Sequence, residues 1–258
     1  IWSANKKDLK KFSLILFIRF FKNHGLFSFV DRPQWKFVEG GSINYIKNLI
    51  KKNLFNYYTN SKITKVDRTN DSIIIFLKDK KIKFDKVVFA NHADQALQLI
   101  SNPSLKEKSI LSKFKYTKNK AYLHSDNMAM PSRKRVWSSW NFIEYHEKQN
   151  FFSLTYWMNK LQKIDSKKNY FVSINPGFIP EKVYDTATFD HPIFNFQTLK
   201  AQNEISEIQG LNNTFFCGSY CGYGFHEDGI QSAAYISNLL NIDLPWKRDI
   251  NFKNRLKY

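Results

Sequence analysis

A strand, a glycine-rich turn and a small-residue helix run together in Thr214–Leu240, TFFCGSYCGYGFHEDGIQSAAYISNLL, and no other stretch restricts the fold of this chain so strongly. Phe215-Phe216-Cys217 reads as a buried strand, and Gly218, Gly222 and Gly224 open a turn with no Cβ in the way. Gly229 then precedes a helix expected to begin near Ile230. A helix N-terminus at that point offers unpaired N–H groups and partial positive charge to an electron-rich group. Glu227 and Asp228, just ahead of it, either cap the helix or accept hydrogen bonds from a ribityl or ribose hydroxyl. The pattern leaves both a structural turn and a cofactor contact open, because one glycine-rich turn is a weak signal.

The rest of the chain can support such a unit. Its 258 residues are 43% hydrophobic and 17% aromatic, enough for one sizeable core or two smaller ones. The net charge of +18 raises nucleic acid or an anionic membrane as partner. The lysines are scattered, however, in pairs such as Lys6-Lys7, Lys10-Lys11, Lys51-Lys52 and Lys80-Lys81 among many Asn, Ile and Phe, a profile that an AT-rich genome also produces. Nucleic acid is therefore not expected, while peripheral contact with an anionic membrane stays open. Cys217 and Cys221, spaced C-x3-C, form neither a zinc site nor a redox CxxC, and the six histidines are dispersed, so no metal is expected. Two buried thiols fit a reducing, cytoplasmic setting.

Lys6–Phe21 places lysines before an apolar run, but Arg19 interrupts it and it is too short to span a membrane. It reads as an amphipathic helix with Leu9, Phe12, Leu16 and Phe20 on one face. A turn at Val38–Ser42 leads into a second helix, Ile43–Lys52, with Ser42 as N-cap. Ile63–Asp67, Ser72–Lys78 and Lys81–Phe84 read as short strands, the last two joined at Asp79-Lys80. Val87–Ala90 is a continuous apolar strand of the buried parallel kind. It ends in Asn91-His92-Ala93-Asp94, and ligands sit at the carboxyl ends of such strands; His92 and Asp94 are secondary candidates, beside the plainer reading of a packing or capping role. Ser101–Lys200 reads as antiparallel and aromatic, with Trp137, Trp140, Phe142, Phe151, Phe152, Tyr156, Trp157, Tyr170 and Phe171 punctuated by Pro131, Pro176 and Pro180. Such a face either floors an apolar substrate cavity or is an ordinary core. Leu199–Gln209 reads as a helix returning to the final motif.

The wording FCGxxxGYGFHEDGxxSA resembles the C-terminal flavin-contacting motif of a bacterial family described as predicted NAD/FAD-binding proteins, within the flavin amine oxidase and phytoene desaturase superfamily. Genes of that family often lie beside cyclopropane-fatty-acyl-phospholipid synthase. Similar wording recurs in order at Ile1–Ala4 (IWSA), Asn23–Leu26 (NHGL), Arg32–Tyr45 (RPQWKFVEGGSINY), Phe84–Leu97 (FDKVVFANHADQAL) and Leu123–Phe142 (LHSDNMAMPSRKRVWSSWNF). It continues at Leu154–Gln162 (LTYWMNKLQ), Ile174–Gly177 (INPG) and Leu244–Trp246 (LPW), so nearly the whole chain is covered.

That resemblance implies an α/β fold, the C-terminal part of a two-domain FAD-dependent oxidoreductase, in which an FAD/NAD(P)-binding fold interleaves with an α+β substrate domain whose sheet is mostly antiparallel. The implied division is 1–36 (helical part of the substrate domain), 37–100 (FAD domain), 101–198 (antiparallel substrate domain), 199–248 (FAD domain) and 249–258 (tail). The implied FAD contacts are Gly218, Glu227, Asp228, Gly229, Ile230, Gln231, Gly40, Gly41, Ser42, Ala90 and His92, with Ile230 and Gln231 offering backbone N–H groups. His226 either assists proton movement or locks the turn. Trp140, Tyr156 and Trp157 are implied walls of a substrate cavity, fitted to a lipid acyl chain or to an amine. No GxGxxG unit for the ADP half of FAD occurs in these residues. The expectation is a fragment whose N-terminal FAD-binding segment lies elsewhere and which alone holds FAD poorly or not at all, in the cytoplasm or peripherally at the inner membrane. A non-catalytic binding module that keeps the fold is the competing expectation.

Overall fold

The computed structural model of the chain describes residues 12–31, 34, 36–69, 71–145 and 151–244, without the side chains of 145, 151 and 152. The expectations at Ile1–Ala4, Leu9, Trp35, Trp246 and the 249–258 tail, and those resting on the Phe151 and Phe152 rings, lie outside the described residues.

In chain order the elements are α1 (Leu14–Asn23), α2 (Ile43–Lys51), β1 (Lys65–Arg68), β2 (Ile73–Phe76), β3 (Lys81–Phe84), β4 (Val87–Phe89), α3 (Ala93–Leu99) and α4 (Leu105–Leu111). There follow β5 (Lys115–His124), β6 (Trp140–Tyr145), β7 (Phe151–Trp157), α5 (Met158–Leu161), β8 (Phe171–Ile174), β9 (Val183–Ile193), α6 (Phe196–Glu204), β10 (Thr214–Phe216) and α7 (His226–Leu239). The chain divides into two compact units, one comprising 1–3, 33–57 and 117–191 and the other 4–32, 58–116 and 192–258.

The second unit carries the Thr214–Leu240 segment. Its strand β10 pairs in parallel with β4, Phe215 opposite Val88 and Phe216 opposite Phe89. The apolar run 87–89 is therefore the parallel strand its composition predicts, but it is buried on one side only: Val87 and Phe89 are buried and Val88 is exposed. One face of this pair joins Val66, Ile73, Ile100, Leu111, Phe114, Ile205, Ile208 and Tyr220 in the main core. An antiparallel meander, β1-β2-β3, adds Val66 and Ile73 to that core, and Leu77 N–H donates to Lys80 C=O at 2.8 Å to close its second turn. In α1, Leu16 and Phe20 are buried, at the spacing an amphipathic helix requires.

Two expectations need correction here. Ser101–Lys113 is not antiparallel sheet but contains α4, set by a capping box in Ser104-Leu105-Lys106-Glu107. Glu107 N–H donates to Ser104 Oγ at 3.2 Å and Ser104 N–H to Glu107 Oε2 at 2.7 Å. The helix expected over Leu199–Gln209 begins earlier, at Phe196, where Asn195 Oδ1 accepts from Thr198 N–H at 3.0 Å, and tightens to 3₁₀ from Ile205. Glu107 also forms a paired contact with Arg68, and both side chains are essentially removed from water, at 0% and 4% exposure.

The first unit is built on a five-stranded sheet in the order β6-β7-β8-β5-β9. Ser42 is the N-cap of α2, as expected, but its side chain makes no capping bond. Register sorts the sheet's residues onto two chemically different faces. On one, Trp140 opposes Tyr156, Tyr156 opposes Val172 and Val172 opposes Leu123, beside the row Phe142, Leu154, Ile174 and Ala121. The other carries a buried polar line of Asn141, Thr155, Ser173 and His124. His124 Nδ1 accepts from Asp126 N–H at 3.1 Å, so its proton sits on Nε2, which donates to Ser173 Oγ at 2.8 Å. Ser173 Oγ in turn lies 2.7 Å from Thr155 Oγ1.

Burial lowers the His124 pKa, the Asp126 charge opposing this only in part. An unfolded His titrates near 6.5, so the unfolded chain binds the extra proton first as pH falls. The stability that neutral His124 provides is full above about 6.5 and declines as pH drops from there toward its depressed native value. Melting temperature measured from pH 8 to pH 5 should fall more steeply for the parent than for His124→Gln, and equal slopes would contradict the assignment.

Candidate functional site

The site candidates of the second unit gather where β4 and β10 end. Cys217 N–H donates to Phe89 C=O at 2.9 Å, carrying the pairing one residue past β10. Gly218 follows against the end of β4: a Cβ there would stand 2.7 Å from the Tyr220 ring and 3.6 Å from Asn91 O. The turn from Gly218 to Phe225 is tied from three sides. Gln202 Nε2 donates to Tyr220 C=O at 2.8 Å and to Gly222 C=O at 2.6 Å. Gly218 N–H donates to Ser232 Oγ at 3.0 Å. Asp228 Oδ2 accepts from Phe225 N–H at 2.9 Å. Phe20 stacks on Phe225 with centroids 5.5 Å apart, which anchors α1 to the same turn.

These bonds move the helix start. The helix α7 begins at His226, not near Ile230, because Asp228 at the third helical position reaches back to Phe225 N–H. Glu227 and Asp228 therefore lie inside the first turn, and Gly229 is a helical residue. Ile230 and Gln231 sit deep enough that intrahelical carbonyls take their N–H groups, and Asp228 and Gly229 N–H donate to Phe225 C=O at 3.1 and 3.2 Å, which leaves Glu227 N–H as the first-turn amide best placed for a ligand. Two carboxylates already complement the helix dipole, which suits a neutral or weakly polar ring edge better than a full anion. Glu227 Oε1 accepts from buried Gln231 Nε2 at 2.9 Å, and buried Asp228 is spent on the turn. Outward from them, Gly229 faces open ground: a Cβ there would meet only Ser219 N, at 3.8 Å. Ile230 beside it is 52% exposed, and His226 is exposed at the helix start.

Ala90 lies at the carboxyl end of β4, next to Asn91 and His92. His92 is the N-cap residue of α3; its ring stacks on Tyr116 with centroids 4.3 Å apart, and Ala93 N–H donates to Tyr116 Oη at 3.0 Å. Burial pushes the Tyr116 hydroxyl pKa up, which keeps it protonated. Asn91 Oδ1 and His92 Nδ1 are buried with no hydrogen-bond partner, a cost unless a ligand or water meets them. Asn91, Gln202 and Ser232 were not singled out from sequence; only Asn91 left a trace there, as a polar residue directly after a buried strand. Cys217 and Cys221 are free and buried, and burial pushes the Cys217 thiol up to about 11, which makes it unreactive at neutral pH. Among the described residues no group of three or more His, Cys, Asp or Glu is arranged to hold a metal. Among them, too, no helix is long and apolar enough to cross a membrane.

The remaining candidates belong to the first unit. Gly40 and Gly41 take positive φ of 71° and 89° ahead of α2, and a Cβ on Gly41 would meet nothing within 4 Å. Trp140 and Tyr156 oppose each other on the apolar sheet face, where Trp140 is 44% and Phe142 62% exposed. Trp157 alternates to the other face, its ring edge-on to Trp137 at 5.3 Å, so the three aromatics do not line one wall of this sheet.

No family model and no curated protein matches the sequence. Solved structures do resemble the fold. A CLA-producing fatty acid isomerase from P. acnes matches with TM-score 0.54 and 13% identity, over 78% of this chain and 51% of its own. Cyclohexylamine oxidase from Brevibacterium oxydans matches with TM-score 0.58 and 11% identity, over 90% and 61%. A putrescine oxidase variant from a redesign of cofactor binding matches with TM-score 0.55 and 10% identity, over 78% and 53%. The chain thus shares a mixed α/β fold with these proteins and spans between half and about three-fifths of their length.

Proposed function

We propose that this chain supplies the part of an FAD-dependent oxidoreductase that meets the flavin ring, and that the complete protein takes a hydride from an apolar substrate. The observation that carries this reading is the braced turn between β10 and α7, which leaves Gly229 bare and Ile230 exposed beside the carboxyl ends of two parallel strands. Bracing by Gln202, Ser232 and Asp228, with only Ser219 N among the described atoms within 4 Å of a Cβ on Gly229, is the form of a cradle for a flat ring. FAD, when bound, supplies the two-electron acceptor. Gly229 would admit the ring, Gly218 would keep the backbone close to Tyr220 and Asn91 behind it, and the Glu227 amide of the first turn of α7 would donate to its polar edge. Glu227, aligned by Gln231, would accept from a cofactor hydroxyl, and Asn91 and His92 would direct their unpaired atoms to its polar chain. His226, exposed at the helix start, is placed to exchange a proton with solvent rather than to act from a shielded position.

An apolar substrate is supported by the sheet face of Trp140, Phe142, Leu154, Tyr156 and Val172, which carries no charge along these rows. A fatty acyl chain of a lipid fits such a floor. An amine is the second reading, favoured by the paired Trp140 and Tyr156 rings, which could flank a cation.

Gly229→Ala tests the cradle. Because its Cβ meets only ordinary contact distance, the variant should keep or slightly raise the melting temperature, Ala being the better helix former. FAD affinity of the cofactor-competent protein should fall about tenfold or more, roughly 1.4 kcal/mol. Unchanged affinity in the folded variant would place the ring elsewhere.

A further inference from the structure

We infer that α2 and the stretch after it lie along an anionic lipid surface, with the apolar side of the helix at the boundary between headgroups and acyl chains and its lysines among the headgroups. The lipid contact is independent of the flavin reading.

The helix is short and, among the described residues, uncovered. At the α-helical period Ile43, Ile46, Leu49 and Ile50 fall on one side with Tyr45 at its margin, while Asn44, Lys47, Asn48 and Lys51 take the other. A helix patterned in this way normally buries its apolar stripe, as α1 does with Leu16 and Phe20. In α2 no residue is buried: Ile43 is 54% and Leu49 50% exposed. The chain on either side has the same character, with Phe37, Val38, Leu54, Phe55 and Tyr57 exposed and Leu54 at 81%. Nine residues are too few to hold a helix in water by propensity alone, so the stripe calls for a surface to cover it. Exposed apolar side chains gathered in one stretch mark a binding face.

Charge selects the kind of surface. Between Glu39 and Asp67 the chain has no acidic residue, and the polar side of α2 carries Lys47 and Lys51, followed directly by Lys52. None of the three has an ion pair among the described residues. Lysines beside an apolar stripe, with no carboxylate between them, complement anionic headgroups over acyl chains. The stripe gains by leaving water, and each lysine gains from the negative potential of the headgroups. A second copy of the chain fits less well, since two α2 helices face to face would set lysine against lysine with no acid to pair them. The helix is far shorter than a membrane span, so it lies along the surface and does not cross it.

Co-sedimentation of the protein with lipid vesicles tests this, comparing pure phosphatidylcholine with phosphatidylcholine containing about a third phosphatidylglycerol. Binding to the anionic vesicles should be about tenfold or more tighter. Ile46→Asn with Leu49→Asn should weaken it about tenfold or more and leave the melting temperature without vesicles unchanged, because both side chains are already exposed. Lys47→Gln, Lys51→Gln and Lys52→Gln together should weaken it to a similar degree. The triple change Lys80→Gln, Lys81→Gln and Lys83→Gln removes the same charge from the β1-β2-β3 meander and should leave binding intact. Equal loss from the two triple variants would mean that overall charge alone binds, and would overturn the inference. Binding that survives Ile46→Asn with Leu49→Asn, or no binding by the folded protein, would overturn it too. So would a lower melting temperature of that double variant without vesicles, which would place another stretch of polypeptide or a protein partner on the stripe. FAD takes no part in any of these measurements, so the flavin reading stands or falls separately.

Discussion

Replacing Arg68 by Met should destabilise the second unit by about 3–5 kcal/mol, because it leaves the Glu107 carboxylate buried without its cation. Glu107 is fully buried, bonded through both oxygens to Arg68, with Arg68 Nη2 to Glu107 Oε2 at 2.9 Å, and it also caps Ser104 N–H. Burial alone would raise its pKa, but Arg68 and the Ser104 amide outweigh this and hold the carboxyl below its usual range. At about 2–4 °C per kcal/mol for a chain of this size, the melting temperature should drop by roughly 10 °C. The double variant Arg68→Met, Glu107→Leu should lose less than the single one, since no charge is then stranded. The stability that the lowered carboxyl provides is present above the unfolded glutamate pKa, near 4.3, and is lost as pH falls through the lower native value. Calorimetry of the three proteins at pH 7 decides: a double variant worse than Arg68→Met would mean that packing, not charge, dominates there.

Gly222→Ala should be the most damaging small substitution in the candidate site. Its Cβ would stand 2.5 Å from Asp228 Cγ and 2.6 Å from Asp228 Cβ, a side chain with 0% exposure that cannot swing into solvent. Overpacking of this kind costs about 1–3 kcal/mol, and displacing Asp228 from Phe225 N–H adds about 1 kcal/mol for the lost cap. The first turn of α7 should fray with it. Gly229→Ala, seven residues on, should do none of this, so the pair separates a glycine required by packing from one left bare toward solvent. Circular dichroism melts of both variants check the contrast; equal stability would remove Asp228 from the turn's support.

What the chain discloses without its fold follows from how local each signal is. β3 was readable at Lys81–Phe84 and β4 within one residue, since a turn at Asp79-Lys80 and an unbroken apolar run need no distant partner. The same apolarity gave β4 as a parallel strand and 215–217 as a strand, but not that the two are partners. The start of α7 was misplaced because Gly229 looked like a boundary, and only the Asp228 bond to Phe225 shows that the helix is already running. The capping box at Ser104 and Glu107 was legible by rule, yet the aromatic density beyond it drew the whole stretch toward sheet. Gln202 and Gln209 could not be recognised: each is a polar residue in or after a helix, and its role lies in carbonyls up to twenty residues away or in the edge of a strand. Trp157 was grouped with Trp140 and Tyr156 by composition, and strand alternation parts them.

A titration of FAD, followed by the visible spectrum and by quenching of flavin fluorescence, is the most direct measurement. It compares the 258-residue chain with one extended in frame before Ile1. The flavin account predicts a bound, structured flavin spectrum in the longer protein, weak or no binding in the shorter one, and about tenfold or more weaker binding on Gly229→Ala. A longer protein that folds and still takes up no flavin would contradict it, and would leave a binding module that has kept the fold without the chemistry.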